Sequence, residues 1–365
     1  MKKLFFSLLA VAAMARCSKS ELSDRPVIGQ DNVEIFAKST ALGISTRTPF
    51  EGSVIDNDHQ LEAKVWATTK KGDYSGTMVS GNHIPTYNGK FNNTNKMVFT
   101  DSDEVGFDTN SMYFPADQDN VYLFGLYPYD LVWTESTSSG ATSAKTTIDG
   151  KSDIMVAPQV QASKSAQQAA TPTYPTLAFE HMLTKLIVKV VAEDQAAIDG
   201  WGNVTDIQLT GAAGSLRDEI TVQCADATPG SRMSATFGIS SANPTSFNFF
   251  KMDGSVTPNT YSDDAFVSQT VALTTTATSV AYLLVAPLSN PANTTDDFSL
   301  AVKTANHTDA FPVKIELKDA TGSDYNQSTQ GKYFEITLTF KATEVQAKAT
   351  VAAWENGGNG GADIQ

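Results

Sequence analysis

The sequence predicts an all-β chain folded in two domains, and three observations carry that expectation. Helical periodicity is nearly absent, and short runs with a period of two recur along the whole length, separated by Gly, Asn, Asp and Pro. At 365 residues and 41% apolar content, the chain has material for two cores of ordinary size.

The elements follow in order. Lys2 and Lys3, the apolar run from Leu4 to Ala15 and Cys17 make residues 1–16 an export signal, because about a dozen apolar residues cannot span a ~30 Å hydrocarbon layer. Cys17, followed by Ser18, Lys19 and Ser20, fits a bacterial lipoprotein site, where the thiol takes a diacylglycerol anchor. Arg16 departs from the small residue usual before that cysteine, and Ala13-Met14-Ala15 offers an ordinary signal-peptidase site instead. Val33, Ile35 and Ala37 then alternate with Glu34 and Lys38, the pattern of a half-buried strand.

Val121 to Tyr127 and Ala281 to Ala286 are apolar on both faces, as central strands are. Thr134 to Thr147 and Gln159 to Pro175 are low in apolar content and read as loops. The apolar segment from Leu177 to Val191 opens a new unit, so a domain boundary is expected near Leu177, between residues 48–176 and 177–365. Glu193 to Gly200 reads as a helical turn stopped early by Gly200 and Gly202. Three alternating strands follow: Val313, Ile315 and Leu317; Phe334, Ile336, Leu338 and Phe340; and Val345, Ala347, Ala349 and Val351. The Gly- and Asn-rich tail from Glu355 to Gln365 carries no strand pattern.

Chemistry is sparse. The chain is acidic, with 26 basic against 40 acidic side chains, and lacks the basic stripe of a nucleic-acid binder. Beyond Cys17 the one cysteine is Cys224, so an intramolecular disulfide in the mature chain and a cysteine-rich metal site are both excluded. His59, His83, His181 and His307 are far apart and match no metal-ligand spacing; His181 reads as a hydrogen-bonded structural residue. No G-x-S-x-G elbow or phosphate-cradling glycine loop is present. Asp101 to Glu104 and Asp117 to Asn120 alternate carboxylates as a calcium loop does, but lack its glycine and distal glutamate, and solvated turns explain them.

Several segments together resemble the fimbrillin family, the type V pilins and related surface lipoproteins of Gram-negative oral and gut bacteria. They are Cys17-Ser-Lys-Ser20, Ile44-Ser-Thr-Arg-Thr-Pro-Phe50, Tyr113 to Asp117 followed by Val121 to Tyr129, Ser152 to Ala157, and Phe179-Glu-His181 leading into Leu186 to Val191. Leu284-Val-Ala-Pro287, Tyr333 to Phe340 and Ala349 to Trp354 complete the series, whose order spans most of the chain. The resemblance implies two transthyretin-like β-sandwich domains in tandem, exported as an outer-membrane lipoprotein precursor and trimmed by an arginine-specific surface protease. The matching cleavage is between Arg47 and Thr48, which makes residues 17–47 a pro-segment whose strand, with Val33, Ile35 and Ala37, is removable. Residues 1–47 carry seven basic and four acidic groups, so 19 basic and 36 acidic groups remain, near −17.

Losing a sandwich strand bares an apolar groove and two backbone edges that a donated strand from another subunit can fill. The expected donor lies near residues 345–354, with Val345, Ala347, Ala349 and Val351 as its apolar face and Trp354 as a terminal plug. The alternative for the same residues is an ordinary last strand of the second domain. The expected function is therefore a pilus subunit or tip adhesin at the cell surface or fimbrium, with no catalytic activity, cofactor or metal. Its expected partners are other pilin subunits, the protease and a host or bacterial receptor. The rival expectation is a monomeric surface lipoprotein that binds a carbohydrate or host ligand through Trp66, Tyr87, Trp133 or Trp201.

Overall fold

The computed structural model describes residues 33–39, 60–68, 71, 96–99, 104–108, 111–115, 119–138, 141–223, 235–253, 260–287, 298–318, 323 and 328–353. Among them, strands dominate and the helices are short, as the all-β expectation requires. A five-stranded sheet runs Lys96–Phe99, Leu61–Thr68, Asn120–Tyr127, Met155–Ser163, Glu180–His181. A seven-stranded sheet runs Thr260–Ala265, Phe250–Asp253, Thr278–Val285, Thr184–Ala192, Lys332–Phe340, Val345–Ala353, Leu317–Lys318. The strands expected to be central, over 121–127 and 281–286, have neighbours on both sides and are buried on both faces.

Two four-stranded sheets complete the layers. Ser246–Asn248, Val204–Gly211, Phe298–Thr304 and Phe311–Lys314 form one, and its Ile207, Leu209, Leu300 and Val302 pack with Leu186, Val188, Phe334 and Ile336 of the seven-stranded sheet in one core. Ala235–Gly238, Glu219–Gln223, Ala141–Thr147 and Thr134–Ser138 form the other, and its Ala144, Ile220 and Val222 pack with Val65, Phe124 and Val156 of the five-stranded sheet in another core. Leu177, Phe179, Met182 and Leu183 also lie in that core, as do Leu284 and Ala286, while Leu186, Val188 and Val190 serve the first. Chain from both sides of residue 177 thus builds the core that holds Trp66 and Phe124.

Three local expectations are corrected. Thr134 to Thr147 is not a loop but a hairpin, in which Thr146 is 4% exposed and its hydroxyl donates to the Val132 carbonyl at 2.8 Å. A satisfied threonine takes an inward position that a count of apolar residues overlooks. Gln159 to Ser163 likewise continues a strand, and Lys164–Gln167 is a helical turn capped by Ser163. The alternation across Val313, Ile315 and Leu317 is buried as expected, yet the chain crosses between sheets there: Phe311–Lys314 pairs with Phe298–Thr304, and Leu317–Lys318 pairs with Ala349 and Thr350. The helical turn after Glu193 runs over Gln195–Trp201, through Gly200, and ends at Gly202, whose φ of 70° suits glycine alone.

Candidate functional site

The segment from Val33 to Ser39 lies in a slot with backbone partners on both sides. On one side the Ile35 amide donates to the Met112 carbonyl at 2.7 Å, and the Phe114 amide donates to the Val33 carbonyl at 2.8 Å. Ala37 and Val105 exchange both backbone bonds, at 3.0 and 2.9 Å. These contacts are antiparallel bridges, Glu34 to Tyr113 and Ala37 to Val105. On the other side the Lys38 amide donates to the Pro175 carbonyl at 2.8 Å, and Lys38–Ser39 pairs in parallel with Thr176–Leu177.

The side chains alternate as the sequence pattern requires. Ile35 and Ala37 are 0% exposed and join the core with Phe107, Met112, Phe114 and Leu177, while Val33 packs against its rim. Burying one isoleucine side chain contributes about 1.5–3 kcal/mol. Glu34, Phe36 and Lys38 take the other face. The Phe36 ring meets Tyr174 edge-on at 6.1 Å between centroids, and Lys38 Nζ sits 6.0 Å from the Tyr174 ring and 3.8 Å from Glu104 Oε2. The Lys38–Glu104 pair is partly exposed and worth at most about 1 kcal/mol. Gly106 leaves room for the segment, since a Cβ there would stand 2.7 Å from Glu34 Oε1 and 3.4 Å from Phe36 Cε1.

Sequence reasoning missed the clamp on this segment. Gln167, 8% exposed, accepts from the Phe36 amide with Oε1 at 3.1 Å and donates from Nε2 to the Phe36 carbonyl at 2.9 Å, copying a strand neighbour with its side chain. Its helical turn is held by Asp119, which accepts from the Ser163 hydroxyl at 2.8 Å and from the Ser165 amide and hydroxyl at 2.7 and 3.0 Å. These hydrogen bonds, the Ser163 hydroxyl foremost, hold the Asp119 carboxyl below the usual carboxylate range. No local signal marks Gln167, because its role exists only once a segment 131 residues away is docked.

Val345–Ala353 pairs antiparallel with Lys332–Phe340 along its full nine residues, from Phe340 opposite Val345 to Lys332 opposite Ala353. Ala349 is buried, and Val345 and Ala347 pack against the same core. On its outer edge the backbone pairs with Leu317–Lys318, opposite Ala349 and Thr350. Trp201 braces the approach to this strand by donating from Nε1 to the Lys341 carbonyl at 2.6 Å.

Residues 1–16, Cys17, Arg47, Thr48, Tyr87, Cys224, Trp354 and the tail lie outside the described residues, as do Asp101, Asp103 and Asp117 of the acidic clusters. His181 is 3% exposed and its Nδ1 lies 3.1 and 2.9 Å from the two carboxylate oxygens of Asp153, itself 0% exposed. Trp66 and Trp133 are 2% and 5% exposed, Trp66 stacks on Phe124, and Trp201 packs against His307, Phe311 and Phe340. Asp206 is 5% exposed with Oδ1 lacking a hydrogen bond; burial pushes its pKa up, against the pull of Lys303 at 3.6 Å. Among the described residues, no cluster of His, Cys, Asp and Glu is arranged to hold a metal ion, and no helix is long and apolar enough to cross a membrane.

A family model described as fimbrillin-like matches residues 46–354. No curated protein sequence is similar enough to match the chain. Among solved structures, a proposed cell adhesion protein from Bacteroides uniformis is 15% identical, with 88% of this chain and 99% of that chain covered at a TM-score of 0.50. A fimbrial protein from Bacteroides vulgatus is also 15% identical, over 86% and 99% of the two chains, at 0.40. The fimbrial anchor protein Mfa2 from Porphyromonas gingivalis is 10% identical, over 84% and 90%, at 0.31. The first of these likenesses bears on the fold.

Proposed function

Because the chain belongs to the fimbrillin-like family, matched over residues 46–354, we propose that it is a fimbrial subunit or adhesin of the cell surface whose assembly is triggered by loss of its N-terminal strand. In this reading the precursor is exported and anchored through Cys17, an arginine-specific protease cuts between Arg47 and Thr48, and residues 33–39 leave. The observation that carries the reading is the placement of Ile35 and Ala37: both are wholly buried, yet both lie before the cut. Their departure bares core side chains, the Met112, Val105 and Pro175 carbonyls, and the Val105 and Phe114 amides. Unpaired backbone groups beside a hydrophobic slot are costly, and a strand from another subunit satisfies both at once. Such contact is head-to-tail and propagates instead of closing.

The carbohydrate-binding alternative needs exposed aromatic faces, and Trp66 and Trp133 are spent on the core. A covalent lock tests the proposal. Ala37 and Val105 are direct antiparallel partners, whose Cα spacing of about 5.5 Å suits a disulfide. With Cys17 and Cys224 replaced by serine, Ala37→Cys/Val105→Cys should still be cut at Arg47 but retain the segment and stay monomeric until reduced. Equal polymerisation of locked and reduced protein would refute the role of the segment.

A further inference from the structure

Val204–Gly211 and Ser246–Asn248 are neighbours in one sheet, yet the chain between them crosses to the other core. There Glu219–Gln223 pairs with Thr147 back to Ser143 along five residues, and Ala235–Gly238 pairs with its far edge. Ile220 and Val222 are 0% exposed in the core that holds Trp66 and Phe124, and Ala235 and Phe237 pack against that core. The neck of this strand pair is tied. The Asp218 amide donates to the Gly238 carbonyl at 3.1 Å, and the Asp218 carboxylate accepts from the Ser240 amide at 2.6 Å and from the Ser240 hydroxyl. The Ile148 amide donates to the Asp218 carbonyl at 2.7 Å and extends the ladder by one bond.

Backbone therefore joins the two cores between Leu183 and Leu186, between Gly211 and Glu219, and between Gly238 and Ser246. The first of these passages is lightly anchored. Glu180–His181 pairs over two residues with Met155 and Val156, and Thr176–Leu177 pairs with Lys38–Ser39, the segment that departs in the trimmed state proposed above. The ion pair from Lys151 to Asp263, at 3.4 Å, is partly exposed and adds little. Resting on the fibre reading for its purpose, we propose that the strands of residues 219–238 are a tie that carries tension between the two cores when subunits are joined end to end.

Strand direction sets how the tie is loaded. Its neck lies beside Thr147 and Ile148, and just beyond them the Gly150 carbonyl receives the amide of Leu284, on the seven-stranded sheet, at 2.8 Å. The neck thus faces the seven-stranded sheet, and Gln223, opposite Ser143, is at the far end. Separating the cores draws the pair lengthwise along Ala141–Thr147. Antiparallel hydrogen bonds run perpendicular to their strands, so a lengthwise pull strains the whole ladder together instead of opening it from one end. The same motion drags Ile220 and Val222 out of the core, which adds the cost of exposing two aliphatic side chains.

Single-molecule pulling of the untrimmed full-length monomer tests the tie without cleavage or assembly. Handles are attached through azide-bearing residues at the exposed positions Lys71 and Thr343, one beside each core, in a Cys17→Ser/Cys224→Ser background. Lys145→Cys/Thr221→Cys joins direct cross-strand partners, and its oxidised form should rupture at a higher force than its reduced form. Thr221→Pro removes a ladder donor and should lower the first rupture force about twofold, since the two pairs at Glu180–His181 then replace the five of the tie. Amide exchange across Leu61–Thr68 and Thr184–Ala192 should keep its protection in that variant; if Leu61–Thr68 loses it, the crosslink alone decides. A rupture force equal in the oxidised and reduced crosslinked protein would overturn the tie. Failure of trimmed protein to polymerise would instead sink the fibre reading, and would leave these forces unchanged.

Discussion

Truncating Ile35 separates docking of the N-terminal segment from stability of the whole molecule. Ile35 is 0% exposed in the core beside Met112 and Phe114, so Ile35→Ala removes fully buried carbon and costs about 2–5 kcal/mol. The loss falls on docking of the segment, because among the described residues 33–39 is held by the backbone bonds of the slot, the Gln167 side chain and its own buried side chains. At 1.4 kcal/mol per factor of ten, the opened fraction rises about 30-fold to about 4,000-fold. The ceiling is the docking free energy: once the segment is out, a larger penalty changes nothing more. Amide hydrogen exchange reads this directly, since the Val105 and Phe114 amides donate to Ala37 and Val33 and report whether the segment is in place. Their exchange should accelerate by that factor while amides across Thr184–Ala192, at the centre of the seven-stranded sheet, keep their protection. Uniform acceleration in both places, or none at Val105 and Phe114, would show that the segment is not a separable element.

Three further outcomes are expected. Gln167→Leu leaves the Phe36 amide and carbonyl without their partner and should weaken docking by about 1–3 kcal/mol, seen as faster release of the segment after cleavage at Arg47. Asp119→Ala should loosen the helical turn that carries Gln167 at neutral pH, seen as a lower melting temperature than wild type. The Asp119 pKa is depressed, so its stabilisation is full above the unfolded value of 3.8 and is lost as pH falls through the folded one; wild type and variant should converge in thermal melts under strong acid. Asp206 has the opposite sign, for its raised pKa makes the folded state hold the proton: the benefit exists below 3.8 and disappears as pH rises through the folded pKa. Asp206→Asn should therefore raise the melting temperature at pH 7 and leave it nearly unchanged near pH 3.

Much of the fold is legible wherever one strand face is core and the other is water. Phe334 to Phe340 is the clearest case, with Phe334, Ile336, Leu338 and Phe340 all 0% exposed, and Ile35 and Ala37 follow the same rule. Legibility fails where tertiary partners replace the hydrophobic signal. Thr146 faces inward because the Val132 carbonyl receives its hydroxyl, and the hairpin around it therefore resembles a polar loop. The strand Glu219–Gln223 shows its alternation in Ile220 and Val222, but nothing local says that it pairs with Ala141–Thr147. The Gln167 clamp and the Asp119 bonds behind it join residues far apart in sequence, so pattern and propensity are silent on them.

The central claim is that the strand before Arg47 is a temporary occupant of its slot. Treating purified full-length protein with an arginine-specific protease, then sequencing the product N-terminus and running it unheated in SDS, tests that claim most directly. The account predicts one trimmed product beginning at Thr48 that forms an SDS-resistant ladder. A product beginning at Thr48 that has shed residues 33–39 and yet remains a well-folded monomer would contradict it.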